Sequence, residues 1–300
     1  MARTVLVAMI EFEDHKSLFG KKNDEAIGNF KHALELAKNA MDTYQCTEPV
    51  RVFVAPEYYF TKKKNCEEWN GGYSFTVESH EKKGKRDIYA SLREMSGDPK
   101  YAGILFIPGT IPYAVVNDRY DIDYYNVCPV FYNGKMIARH YKRENDRSQS
   151  INAFCTKRNI KGVVSKNYVF QFTVDDLDFG IEICRDHHFG TLKSSLLKER
   201  VNVHILISDD MTPSFAAIAT KEDGGLFLYC DAQKFNDRGK QKRADGCRNG
   251  LFQVGYDPHK GIAEFDYEKC GFVTRIDSIG NGKPHVSLYA QEINPSLHGG

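Results

Sequence analysis

No apolar run in this sequence approaches the roughly 18–20 residues that a membrane-spanning helix needs, so no helical span is expected. Charge imbalance is almost absent too. With 41 basic and 40 acidic side chains the formal net charge is +1. That leaves no long-range pull toward nucleic acid or a membrane surface. None of the eight cysteines (46, 66, 128, 155, 184, 230, 247 and 270) stands in C-x-x-C spacing. In a chain of this length that favours free thiols in a reducing compartment over a disulfide framework. Repeats, low-complexity tracts and composition breaks are missing, so nothing marks a linker and residues 1–300 are taken as one domain. The N-terminal apolar run is short, and Glu11, Glu13 and Asp14 follow it at once. It reads as a first strand and not as a signal peptide, and a cytoplasmic protein is expected.

What is present is enough apolar material for a sizeable core, 41% hydrophobic and 12% aromatic residues. "TVLVAMIEF" (4–12) reads as a buried strand. Ile27, Phe30, Leu34, Ala37 and Met41 then recur at helical spacing, with Asn23–Asp24 where a cap belongs. "RVFVAPEYYF" (51–60) is a second strand that Pro56 should end. Residues 61–86 are polar and read as a surface excursion, and a short helix covers about 87–96. "AGILFIPGT" (102–110) is a further strand. "YYNVCPVFYNGKMIARHYK" (124–142) carries Asn133–Gly134 between two strand-like runs, the signature of a tight hairpin. A second hairpin spans 168–184 and turns at Asp175–Asp178. A helix is expected at about 190–200, and a strand at 201–208. Thr212–Pro213 then caps a helix to about 222. "GLFLYC" (225–230) is a strand, 236–250 a basic Gly-rich loop, and three short strands close the chain. Helices and strands alternate with hairpins, which points to a layered α/β or α+β domain.

Three strand ends present a reactive group. Glu57 follows "VFVAP", Lys142 follows "MIARHY" and Cys184 follows "FGIEI". Strand ends of a layered α/β domain gather at one rim, where such groups converge in a cleft. A carboxylate, an ammonium and a thiol together can perform acyl transfer. The base takes the thiol proton, the cation steadies the tetrahedral oxygen, and the thiolate attacks carbon. A neighbouring base and cation also favour thiolate. Each residue alone has a plainer role: a salt-bridging carboxylate, a solvated lysine, a core thiol. Two other sharp assignments are a Cys184–His187 dyad and a metal site from Cys184, Asp186, His187 and His188. Both are weaker, because the spacing suits neither a dyad nor a paired-ligand zinc site. Tyr58, Tyr59 and Phe60 offer either a pocket wall or core packing. The loop 236–250 offers either an anion contact or a solvated surface.

"VAPEYYF", "GKMIARHYKREN" and "GIEICRD" resemble, in order, the three signatures of the nitrilase superfamily of carbon–nitrogen hydrolases. "NGKMIARHYK" is similar to the family's strand-turn-strand approach to its lysine, and the opening strand, first helix and "ILFIPGT" also fit. The resemblance runs over roughly 4–275. It implies a four-layer α-β-β-α sandwich. It implies Glu57 as general base, Lys142 as oxyanion stabiliser, Cys184 as thioester-forming nucleophile and the Arg185 N–H as a second oxyanion donor. It implies no metal or organic cofactor, a small amide or, less readily, nitrile substrate, no nucleic-acid or membrane partner, and a homo-oligomer of two or more chains. Acyl transfer to an amine and a catalytically silent scaffold are the alternatives. Departures are visible: Arg143–Glu144–Asn145 follows the lysine, Arg185 replaces the usual aromatic, and the second glutamate expected several residues beyond the lysine is either substituted by Glu144 or Asp146 or has no counterpart. In the resembled fold the end of "VHILIS", where Asp209–Asp210 stand, lies beside the nucleophile and helps line the pocket, for which Tyr58 is a further candidate. The plainer role for both is capping the helix that follows; otherwise one of them faces the cleft, paired with Arg185, Lys142 or a basic group on the substrate.

Overall fold

The computed structural model describes residues 2–12, 23–61, 63–69, 72–78, 80–116, 122–143, 149–152, 160–162, 170–196, 200–209, 211–221, 224–232, 249–257, 259, 262–266, 269–276 and 284–293. Two sheets dominate. In the larger one, Phe272–Ile276, His285–Ile293, Arg3–Glu11, Val50–Val54, Ile104–Ile107, Ile122–Tyr132, Ile111–Val116 and His80–Glu81 lie side by side in that order. The strands Lys135–Tyr141 and Ile160–Gly162 also pair with Ile122–Tyr132. Arg3–Glu11, Val50–Val54 and Ile104–Ile107 run parallel, so their C-terminal ends share one rim. The smaller sheet has the order Gln171–Val174, Leu177–Ile183, Val203–Ser208, Leu226–Asp231 and Gly250–Gln253, with its three central strands parallel.

The strand alternation decides how these sheets stack. Val5, Val7, Met9, Val52 and Val54 on one sheet meet Ile181, Ile183, Ile205, Ile207 and Leu228 on the other in a dry core. The opposite face of the larger sheet, with Leu6, Ala8, Ile10, Phe53 and Phe106, is covered by the helices Asn23–Thr43 and Lys82–Gly97. These helices bury Phe30, Leu34 and Met41, and Ile88, Leu92 and Met95, at the spacing of one helical face. The outer face of the smaller sheet carries Leu206, Phe227 and Tyr229 against Ile218, and Leu192 packs with Val201 and Ala219. The result is the expected α-β-β-α layering.

Several elements differ from expectation. The fourth layer is thin among the described residues: Arg185–His188, Thr191–Ser195 and a single 3-10 turn, Phe215–Ala217, replace the longer helices expected at 190–200 and 213–222. Side chains take the backbone donors there, because the Ser214 N–H goes to His187 Nε2 and the Ala219 N–H to His204 Nδ1. Thr212–Pro213 therefore caps no helix. The polar segment 61–86 contains the strand pair Lys63–Trp69 and Gly72–Glu78, and its helix already begins at Lys82. The last strand, His285–Ile293, is long and pairs with Arg3–Glu11 along its whole length. Both hairpins form: Asn133 and Gly134 have φ of +48° and +77°, and Asp175–Asp176 turn the second. No helix among the described residues is long and apolar enough to cross a membrane. The basic loop lies almost entirely outside the described residues.

Candidate active site

The Val50–Val54 strand stops just short of Pro56, which has no N–H to continue the ladder. Residues 57–60 turn sharply, and Tyr58 takes a left-handed φ of +60°. The Tyr58 N–H is satisfied by Thr110 Oγ1 at 2.7 Å. The turn rests on Gly109, whose own φ is +77° and where a Cβ would come 2.2 Å from the Pro56 carbonyl oxygen and 2.9 Å from Tyr59 Cβ. A backbone oxygen cannot step aside as a flexible side chain can. Gly109→Ala is therefore expected to destabilise the protein by about 3 kcal/mol, through strained φ and a forced shift of the Glu57 turn. Urea midpoints of the two proteins would measure it.

Lys142 directly follows the Lys135–Tyr141 strand, and its N–H still bonds the Asn126 carbonyl at 2.9 Å. Its ammonium lies 2.8 Å from Glu57 Oε1. Asn126 Nδ2 donates to the same oxygen at 2.8 Å. Glu57 Oε2 is buried without a hydrogen bond among the described residues. The Tyr58 ring sits beside this pair, with the Lys142 nitrogen 5.7 Å from its centroid.

Cys184 ends the Leu177–Ile183 strand with a positive φ, at φ +48° and ψ −111°. Its N–H donates to the Ile207 carbonyl, and its carbonyl accepts the His187 N–H, both at 2.9 Å. The helical turn Arg185–His188 starts at the next residue. The thiol stands 4.0 Å from the Asp209 main-chain oxygen. It is close enough to the Glu57 carboxylate to lower its pKa, and its own negative form would raise that of Lys142. The structure thus brings Glu57, Lys142 and Cys184 together from three strand ends. Cys184 retains 7% exposure while Glu57 has none, so the thiol is the outer member of the set.

Burial governs the resting charges. It pushes the Glu57 pKa up, and the Lys142 ammonium offsets only part of the rise. It pushes the Cys184 thiol up as well, with Glu57 adding to the effect and Lys142 opposing it. Burial pulls Lys142 down, but Cys184, whenever it is ionised, and the Glu57 carboxylate that the ammonium bonds push it up by more. The expectation of a resting thiolate is corrected: desolvation in a nearly sealed site exceeds the help of one cation, and the thiol is neutral until a base removes its proton.

No family model matches the sequence, and none of the curated proteins does. Among solved structures, a carbon–nitrogen hydrolase from Helicobacter pylori G27 aligns with a TM-score of 0.54 and 12% identity, over 96% of this chain and 89% of that one. An alanine mutant of the amidase from Nesterenkonia sp. AN1, in complex with butyramide, aligns with a TM-score of 0.50 and 8% identity, over 96% and 90% of the two chains. That amidase is described as a nitrilase-superfamily member. The chain has the nitrilase fold. At these identities the likeness is one of architecture.

Within this nitrilase fold the other expected residues fare differently. Tyr58 is at the site, whereas Tyr59 and Phe60 pack around Phe30 in the helix-side core. Asp209 is buried at the end of the Val203–Ser208 strand, and its charge raises the pKa of both Glu57 and Cys184. Asp210, Glu144 and Asp146 lie outside the described residues. The Cys184–His187 dyad is overturned, because His187 spends both ring nitrogens elsewhere: Nδ1 on Glu182 at 2.7 Å and Nε2 on Ser214 N at 3.0 Å. The metal set of Cys184, Asp186, His187 and His188 is not assembled either. Asp186 instead accepts the Arg143 N–H at 2.9 Å and bonds His140 Nε2 at 3.2 Å, tying the Cys184 turn to both flanks of Lys142.

A different trio, Glu182, His187 and His204, does gather its ligand-type atoms within 4.8 Å. Ser214 N–H and Ala219 N–H occupy the far nitrogen of each ring, so the near nitrogens carry the protons and point them at Glu182. The trio is arranged as a hydrogen-bond network and offers a cation no lone pair from either ring. Sequence reasoning missed Asn126, because a lone Asn in an apolar strand gives no signal. It also missed Glu182, although a carboxylate amid "FGIEIC" marks a buried charge that must find partners.

Proposed function

We propose that this protein is a hydrolase of a non-peptide carbon–nitrogen bond in a small amide, working through a thioester on Cys184. The observation that carries this is the buried Glu57–Lys142 pair, 2.8 Å apart, set against a thiol held at a strand end with positive φ. Glu57, whose pKa burial raises, takes the thiol proton as sulfur attacks the carbonyl carbon. Lys142 and the Arg185 N–H stabilise the negative oxygen. Glu57 returns the proton to the departing amine and the C–N bond breaks, leaving the acyl group on sulfur. Glu57 then takes a proton from water, whose oxygen attacks the thioester, and the acid leaves as the thiol is restored. Tyr58 and Asp209 are assigned to the pocket wall. The butyramide complex of the Nesterenkonia amidase supports choosing amides over nitriles as first substrates.

Intact-mass spectrometry after brief incubation with a mixed pool of amides and nitriles tests this. A substrate-sized acyl adduct is expected on wild type, mapping to Cys184 and missing from Cys184→Ala. The same adduct on Cys184→Ala would overturn the assignment. Adding a small amine separates hydrolysis from acyl transfer, since a transferase would pass the acyl group to it.

A further inference from the structure

Along the Leu177–Ile183 strand, Phe179, Ile181 and Ile183 enter the core between the sheets. Gly180 and Glu182 point the other way, toward the thin outer layer. That layer is very close here, since a Cβ on Gly180 would come 2.5 Å from Leu192 Cδ2. Glu182 is fully buried and its carboxylate is fully used. Oε2 accepts from His187 Nδ1 at 2.7 Å and from His204 Nε2 at 3.0 Å, and Oε1 accepts the Leu192 N–H at 2.5 Å. The far nitrogens of the two rings hold Ser214 N–H at 3.0 Å and Ala219 N–H at 3.1 Å. One carboxylate thereby joins the Cys184 strand, the turn after Cys184, the Thr191–Ser195 helix, the neighbouring strand and the 214–219 segment. The His187 and His204 rings lie 5.3 Å apart, and Phe227 packs on both.

We propose that Glu182 is a positioning residue that presents the Cys184 thiol, acting through His187. This rests on Cys184 being the nucleophile. A cysteine at φ +48° is held there only if the structure around it over-determines the turn. The tie that closes this turn is the His187 N–H on the Cys184 carbonyl, at 2.9 Å. The His187 ring is fixed in turn by Glu182 and Ser214, so any drift of His187 passes straight to the nucleophile. An apolar residue at 182 would fill the space but would give His187 no direction. The network has every donor matched to an acceptor, which makes it rigid.

The test measures iodoacetamide alkylation of each cysteine by mass spectrometry, in wild type, Glu182→Gln, His187→Ala and His187→Asn. Cys128 and Cys230 are fully buried and report whether each variant is folded. Glutamine at 182 sets an amide N–H against at least one existing donor. Glu182→Gln and His187→Ala are expected to slow Cys184 alkylation on the order of 10- to 100-fold, the scale of misplacing a reacting group by an ångström or less. His187→Asn keeps an N–H where Nδ1–H stood and should recover most of the rate. A loss of packing alone would not distinguish asparagine from alanine in this way. Unchanged Cys184 rates in Glu182→Gln and His187→Ala, equal rates for His187→Asn and His187→Ala, or faster labelling of Cys184 would overturn the proposal. So would exposure of Cys128 and Cys230 in both Glu182→Gln and His187→Ala, which would make the network a stability element. The hydrolase reading fails separately: in that case wild-type Cys184 reacts no faster than Cys128 or Cys230.

Discussion

Glu57→Gln should lower acylation of Cys184 by roughly 10²- to 10⁴-fold, the usual worth of a positioned general base. Glutamine keeps the shape of the site and an acceptor for Asn126, whose Nδ2 lies 2.8 Å from Glu57 Oε1. What it removes is the capacity to take a proton from a thiol that burial has made hard to ionise. The pH profile gives a second, independent readout. Only ionised Glu57 can act as the base, and burial raises its pKa above the ordinary glutamate value. The wild-type kcat/KM should therefore fall as pH falls through that raised value, at a higher pH than a solvated glutamate would give. In Glu57→Gln this acidic limb should vanish and the low residual rate should rise with thiol ionisation instead. Stopped-flow or quenched-flow acylation with any amide that forms the Cys184 adduct would measure both. An unaltered acidic limb in the variant would remove Glu57 from the mechanism.

Much of this site is legible in the sequence because strand ends announce themselves. Pro56 after "VFVA", the tight Asn133–Gly134 turn before Lys142, and charge after "GIEI" each mark where an apolar run stops and chemistry begins. Parallel strands then bring such ends to one rim without further information. The network around Glu182 was not legible for the converse reason. His204 and the Ser214 and Ala219 amides join it from a neighbouring strand and from a segment whose pattern suggested a helix. Local capping rules favoured that helix, but the His204 imidazole captured the Ala219 N–H that it would have bonded to the Phe215 carbonyl. The strand Lys63–Trp69 lacks the apolar alternation by which strands are recognised; its partner Gly72–Glu78 has it in Tyr73, Phe75 and Val77, but lies inside a segment whose overall polarity reads as a surface excursion. The resting state of the thiol was also beyond the sequence. The neighbours of Cys184 predict thiolate, and only the degree of burial reverses that outcome.

Lys142→Met should be the most damaging single change to stability in this site, and its cost should depend on Glu57. Both side chains are completely buried, and the ammonium 2.8 Å from Oε1 is what makes a glutamate charge tolerable there. Removing one member of such a pair typically costs about 3–5 kcal/mol, because the other charge is left desolvated. Acylation should fall roughly 10²- to 10³-fold or more as well, since an oxyanion donor goes with the charge. The pH dependence distinguishes this cause from simple loss of packing. With Lys142 gone, the Glu57 pKa in the folded state rises further above its unfolded value. The penalty is then fully present above that raised pKa and shrinks as pH falls toward the ordinary glutamate range, where Glu57 folds as the neutral acid. The deficit in urea midpoint should accordingly narrow on acidification. The double variant Glu57→Gln/Lys142→Met should recover much of the lost stability at neutral pH while remaining inactive, because no charge is left to strand. If the double variant were as unstable as the sum of the two single ones, the buried pair would not be coupled. Lys142 would then be a packing residue whose charge Glu57 does not need.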